Sequence, residues 1–80
     1  MIKVEFENKI TLGGEEIQIL ELREPLFKDI RMVSQAGDEI AMQNQLIRRL
    51  SGIDVITDDE FDEIPYREYK KISEAIEGFL

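Results

Sequence analysis

Apolar and polar residues alternate along the first part of the chain. In MIKVEFENKITL, apolar side chains occupy every second position from Ile2 onward, and Asn8 is the only interruption. A period of two is typical of a strand with one buried face, so the sequence predicts either one bent strand or two short ones. Gly13 and Gly14 tolerate the positive φ angles of a tight hairpin turn, and residues 16–22 are expected to return as the partner strand.

The segment ELREPLFKDI is predicted to turn the chain from strand to helix. Pro25 has no N–H for a sheet ladder, but its fixed φ suits the first position of a helix. We expect the strand to end at residues 23–24, the helix to begin near Pro25 or Leu26, and Gly37 to stop it. The buried face of this helix would be formed by Leu26, Ile30 and Val33.

The charged residues of the same segment raise the question of whether it is an active site, a binding loop or a corner. We interpret it mainly as the corner. Arg23 is expected to pair with Asp29 or with a carboxylate elsewhere, and a pair at the surface would contribute less than ~1 kcal/mol.

A second helix is predicted from Asp38, a favourable N-cap, to Gly52. Its apolar stripe recurs every four residues and is wide enough to face a core. The stripe consists of Met42, Leu46 and Leu50, flanked by Ile40 and Ile47.

Two further helical segments follow. Thr57 and Glu60 have the spacing of a capping box, which predicts a short helical turn that carries Phe61 and Ile64. Pro65 is then expected to open the last helix, whose stripe is Tyr69, Ile72, Ile76 and then Phe79 or Leu80. The predicted fold class is α+β in a single domain, residues 1–80: an N-terminal β-hairpin (1–22) packed against about three C-terminal α-helices (25–80).

Composition restricts the chemistry of this 80-residue chain. It has no cysteine and no histidine, so thiolate sites, the commonest general base and the commonest metal ligand are all missing. The acidic residues of segment 58–63 do not fit a calcium loop, because position six is Glu63 and position twelve is Tyr69. We therefore predict a protein that is not an enzyme and that has no metal and no cofactor.

The net charge of −8 argues against nucleic acid and membrane surfaces as partners, since both are anionic. Six carboxylates are concentrated in residues 54–63. The longest apolar run, residues 40–42, is far too short to span a membrane, and the first residues do not form the apolar block of a signal peptide. A cytoplasmic location is expected.

Several short motifs in order give the chain a resemblance to a known family. They are "ITL" before the glycine turn, "LREP" with Asp29 four residues after the proline, "L-x-G" at residues 50–52, the acidic capped turn, and the ending "Y-x-x-I-x-x-x-I-x-G-F-L" at residues 69–80. Together they resemble the small tail assembly chaperones of contractile-tailed bacteriophages and related prophages.

The resemblance implies a role in the host cytoplasm and absence from the mature virion. Members of that family bind the tape measure protein, a long helical chain that sets tail length, and keep it soluble until the tail tube polymerises around it. A longer form made by translational frameshifting often accompanies the short one, so this form is a second implied partner.

The residues suggest how such a chaperone would bind. An apolar groove between the hairpin and the last helix, or an exposed sheet edge, would receive an amphipathic segment of the partner. Aromatic residues dominate binding hot spots, so the candidate contacts are Phe6, Phe61, Tyr66, Tyr69 and Phe79. Core packing is the competing role for each of them.

Two other functions fit the acidic composition. One is a small inhibitor or DNA mimic that binds a basic host protein through residues 54–63. The other is a minor structural tail protein, which would be recovered with purified particles.

Overall fold

The structure, a computed structural model, describes residues 1–53 and 55–79. Two antiparallel strands, β1 (Ile2–Leu12) and β2 (Glu15–Leu22), form the N-terminal hairpin. Helices α1 (Phe27–Val33), α2 (Glu39–Ser51), α3 (Asp58–Asp62) and α4 (Tyr66–Glu77) follow it. The predicted α+β class is confirmed, and the short capped turn of the prediction counts as a fourth helix within the described part of the chain.

The hairpin follows the sequence pattern closely. Along β1 the even-numbered residues face the core except Asn8, which is exposed, so the segment is one strand with an irregularity at that point. Gly13 and Gly14 have φ angles of 63° and 80°, which turn the chain tightly between the strands. On β2, Leu20 and Leu22 are buried, whereas Ile19 lies on the solvent side.

The irregularity in β1 lies between Glu5, which pairs with Ile19, and Ile10, which pairs with Ile17. Over this interval β1 contains three more residues than β2, so some of its backbone groups lose their ladder partners. Side chains replace two of those partners. Gln18 Nε2 donates to the carbonyl oxygen of Phe6 at 3.3 Å, and the Asn8 N–H donates to the Glu68 carboxylate at 2.8 Å.

Helix α1 begins two residues after Pro25, with Leu26 as its N-cap in an extended conformation (φ −94°, ψ 160°). Leu26 is therefore not part of the buried stripe as predicted; its side chain is 54% exposed. Val33 is buried and Ile30 is partly buried against the core, as the pattern indicated. The helix ends at Val33, one turn before Gly37.

Asp29 is completely buried at the start of α1, and this was not expected from the sequence. Arg23 binds it with two parallel hydrogen bonds of 2.8 and 3.0 Å, and Arg49 Nε donates to it at 2.9 Å. The N–H of Leu26 donates to the same carboxylate at 2.8 Å. An ion pair at the surface was therefore the wrong expectation. The Asp29 carboxylate is buried and joins the end of β2, the start of α1 and the last turn of α2.

The remaining helices are capped largely as predicted. Asp38 accepts from the Ala41 N–H at 2.7 Å, and Gly52 ends α2 in the left-handed conformation. In α3 the capping box of Thr57 and Glu60 is present. The Glu60 carboxylate has a second role, because it also accepts from the N–H groups of the hairpin glycines, at 3.1 and 2.8 Å.

One hydrophobic core joins the hairpin to the helices. Its buried members are Val4, Phe6, Ile10, Leu12, Leu20, Leu22, Val33, Leu46, Ile47, Leu50, Ile56, Phe61, Ile64, Ile72 and Ile76. Helix α4 packs on β1, and α2 packs on α1 and β2. No helix within the described residues is long and apolar enough to cross a membrane.

Replacing Asp29 by alanine should lower the free energy of unfolding by about 3 kcal/mol, the low end for breaking a buried ion pair. The low end applies because the side chains of Arg23 and Arg49 are 39% and 33% exposed and water can solvate them. Urea denaturation at pH 7 measures the change. Glu21→Ala, which removes an exposed carboxylate, should change the stability by less than ~0.5 kcal/mol; equal losses in the two variants would contradict the structural role of Asp29.

Acid should destabilise the fold through three carboxylates. The pKa of Asp29 is held well below its ordinary value, first by the hydrogen bonds from Arg23 and then by the N–H of Leu26. The pKa values of Glu60 and Glu68 are lowered chiefly by the N–H groups of Thr57 and Asn8, respectively. Because each folded pKa lies below the unfolded one, these carboxylates stabilise the protein above about pH 4 and lose that contribution as the pH falls further.

Urea midpoints measured between pH 7 and pH 2 should therefore fall steeply below about pH 4. In Asp29→Asn the decline should be shallower, since one of the three groups no longer titrates. A variant whose pH profile runs parallel to that of the wild type would show that Asp29 has an ordinary pKa.

Candidate partner-binding groove

A hollow of about 290 Å³ opens to solvent where α1, α2 and α4 meet. Its walls are apolar, and its margin is polar. The apolar residues are Ile30, Val33, Met42, Leu46 and Ile76, and the polar ones are Glu39, Gln43 and Glu77. A concave apolar surface with a few polar groups at its margin is the usual form of a binding site.

A second hollow of about 450 Å³ continues the first along α2 and α4. The two share Glu39, Gln43 and Glu77, so they form one depression, here called the α2–α4 groove. The second hollow adds Ile40 and Tyr66, which are 68% and 78% exposed. Large apolar and aromatic side chains therefore stand in water beside an apolar hollow.

The packing of the helices explains why the groove stays open. Helix α4 packs on β1, and α2 packs on α1 and β2. The backbones of α2 and α4 come close to each other at few points. Two side-chain hydrogen bonds cross between these helices. One joins Gln43 to Ser73, and in the other the Tyr69 hydroxyl donates to Asn44 Oδ1 at 2.7 Å.

Tyr69 is fixed by this bond and by partial burial. Burial raises the pKa of its phenol above the ordinary value, and the neighbouring Gln43 side chain opposes the rise. The hydroxyl is therefore protonated at neutral pH and keeps its donor role. Tyr69 thus supplies a fixed aromatic wall to the second hollow.

The margin of the groove is acidic. Glu39, Glu74 and Glu77 line it, against one basic residue, Lys70, among the described lining residues. Within residues 1–53 and 55–79, these three carboxylates make no ion pair. Their charge is available to a partner.

The five aromatic candidates from the sequence lie in different environments. Tyr66 and Tyr69 line the groove. Phe6 and Phe61 are 3% and 5% exposed and belong to the core, where Arg48 lies over the Phe61 ring at 5.0 Å. Phe79 is partly buried against the core, and its neighbour Leu80 lies outside the described residues.

The α2–α4 groove is a third surface, in addition to the two that the sequence suggested. Between the hairpin, α3 and residues 63–65 there is a separate hollow of about 420 Å³. That hollow is bordered by three acidic side chains and by no exposed large apolar side chain, whereas Ile40 and Tyr66 stand exposed in the α2–α4 groove. The outer edge of β2 makes no backbone hydrogen bond to any other element of the described chain, and acidic side chains at Glu15, Glu16 and Glu21 flank it.

The sequence pattern does not distinguish several residues of the groove from residues of the core. Met42 and Ile76 belong to predicted apolar stripes, and only the structure shows that they border an opening. The exposure of Ile40 could have been inferred from the sequence. It lies two residues before Met42 and so falls outside the four-residue repeat of α2. No group of three or more potential metal-ligating side chains is present in the described part of the chain.

A comparison with known protein families indicates the general function of the chain. A family model described as "Phage tail assembly chaperone proteins, E, or 41 or 14" matches residues 2–80. The chain belongs to this family. No curated protein and no solved structure matches it.

A tail assembly chaperone acts on other proteins, and the α2–α4 groove is a candidate surface for such contacts. The family match favours this function over an inhibitor or DNA mimic. The acidic segment 54–63 that would serve such a mimic includes Asp54, which lies outside the described residues, and Glu60, whose carboxylate is already bonded to the hairpin turn.

Substitutions at the exposed groove residues should leave the chaperone folded. Ile40→Asp and Tyr66→Ala should each change the free energy of unfolding by less than ~0.5 kcal/mol, and an aspartate in the first turn of α2 is favoured by the helix dipole. Ile76→Asp, at a side chain 3% exposed, should cost more than ~3 kcal/mol. Urea denaturation compares the three, and a large loss in Ile40→Asp would mean that Ile40 is packed rather than exposed.

Proposed function

We propose that this tail assembly chaperone binds the tape measure protein in the α2–α4 groove and keeps it soluble before the tail tube polymerises. The observation that carries the proposal is the apolar hollow that opens beside exposed Ile40 and Tyr66. The identity of the partner comes from the resemblance to the family.

The physical basis is the shielding of apolar surface. A long helical protein without its tube exposes apolar side chains that associate with one another in water. Covering part of them with Ile40, Met42 and Tyr66 removes that surface from solvent. A groove of this size gives an interface at the small end of the known range, with a dissociation constant on the order of micromolar.

Weak binding suits the proposed role, since the chaperone must leave when tube subunits arrive. The net charge of −8 keeps the loaded complexes apart by mutual repulsion. We place this activity in the host cytoplasm and outside the mature virion. A frameshifted longer form of the chain is a further partner that the resemblance implies.

Binding should depend on the groove and not on overall charge. Ile40→Asp and Tyr66→Ala should each weaken binding to the tape measure protein by about tenfold or more, which corresponds to ~1.4 kcal/mol of lost contact. The matched controls are Val55→Asp and Phe27→Ala, whose wild-type side chains are 67% and 81% exposed elsewhere on the surface. Isothermal titration calorimetry with the purified partner, kept soluble as a fusion, measures the dissociation constants of the wild type and the four variants.

Wild-type binding should survive ~1 M salt, where the Debye length is about 3 Å. Complete loss at moderate salt, or equal weakening by the controls, would reject the groove as the binding site. Recovery of the chaperone in purified virions would instead favour a minor structural tail protein.

A further inference from the structure

The dimensions of the α2–α4 groove suit a helical partner. Its α4 wall extends from Tyr66 to Ile76, which at 1.5 Å per residue is about 15 Å, or about three helical turns. Exposed Tyr66 and Ile40 lie in one hollow, and Met42 and Ile76 lie in the other. Apolar residues spaced i, i+3 or i+4, and i+7 on a partner helix would reach both.

An extended peptide fits less well. A strand needs an exposed row of backbone N–H and C=O groups to pair with, and such a row exists at the outer edge of β2. The walls of the groove are helices, whose backbone groups are bonded internally along the interior turns. The groove can therefore offer side-chain contact but no ladder.

The charges at the margin restrict the partner further. Glu39 stands on the α2 wall and Glu77 on the α4 wall, and both border the two hollows. A partner helix would thus have a carboxylate on each side of its apolar stripe. Covering these carboxylates without a counter-charge costs desolvation energy, whereas a lysine or arginine beside the stripe offsets that cost.

One feature of the groove opposes a preference for a basic partner. The N-terminus of α2 carries a partial positive charge of about half a unit, which favours an anion. However, Asp38 already caps that end and Glu39 lies in its first turn. Lys70 adds one positive charge, and Glu74 balances it. The groove margin stays negative.

We infer that the α2–α4 groove selects a helix of about three turns whose apolar stripe is flanked on both sides by lysine or arginine. The groove discriminates by charge against a helix with the same stripe and acidic flanks. This inference deepens the proposed function and depends on it only for the name of the protein that carries the helix.

Synthetic helices test the inference without the tape measure protein. Three labelled peptides share one leucine stripe and carry lysine, glutamine or glutamate at the flanking positions. Fluorescence anisotropy with the full chain should give the tightest binding for the lysine peptide, about tenfold or more over the glutamate peptide, with glutamine between them. The glutamine peptide should bind independently of salt, since only apolar contact remains.

Reversing the charges at the groove margin then tests whether these carboxylates cause the preference among the peptides. In the double variant Glu39→Lys and Glu77→Lys the order of the peptides should reverse. The first change loses a favourable dipole interaction and the second gains one, so the helices should remain folded, as circular dichroism can verify. The control is Glu16→Lys with Glu21→Lys, which makes the same change of net charge at the exposed face of β2 and should preserve the wild-type order.

The outcomes separate the two proposals. Equal affinities for the lysine and glutamate peptides would overturn the inference, and so would reversal by the β2 control. Tape measure binding without any preference among the peptides would support the proposed function alone. A reversed order in the groove variant, together with no binding of the tape measure protein, would support the inference and overturn the proposed partner.

Discussion

The buried carboxylate of Asp29 is the constraint on which the helical half of this protein depends. Helix α1 has seven residues and cannot persist alone. Asp29 holds its first turn through the Leu26 N–H and fastens it to β2 through Arg23 and to α2 through Arg49. Because α1 and α2 supply one side of the groove, Asp29 acts together with the core packing of these helices to fix the position of that side. The two arginines are partly exposed, so the carboxylate is fully paired while the cations keep some hydration.

The same physical solution recurs at two other irregular points. Glu60 accepts the N–H groups of the hairpin glycines, and Glu68 accepts the N–H of Asn8 where β1 leaves its register. In each case an anion satisfies backbone donors that a corner, turn or bulge has left without a ladder partner. The other oxygen of Glu68 forms an ion pair with Lys71 Nζ at 3.1 Å. Part of the acidic composition is therefore structural, in addition to its effect on solubility.

The sequence predicts most of this fold because its local signals agree. The alternation in β1, the glycine turn, the Asp38 cap and the capping box at Thr57 each determine a structure within a few residues. The burial of Asp29 could not be obtained in this way, because it depends on where Arg49 lies, twenty residues further along the chain. The groove was missed for a related reason. A stripe on one helix indicates a buried face, and whether a second helix closes over all of it is decided by tertiary packing.

The acidic groove margin also opposes one mode of association between two copies of the chain. Ile40 and Tyr66 are exposed apolar groups, and such groups on identical molecules tend to associate. Two copies that met groove to groove would bring Glu39 and Glu77 of one against the same carboxylates of the other. That repulsion would be absent with the basic helix inferred above, so the same two residues would favour such a helix over a groove-to-groove homodimer. In the proposed function, selectivity of this kind would add little to the affinity and would leave the complex weak enough to release its client.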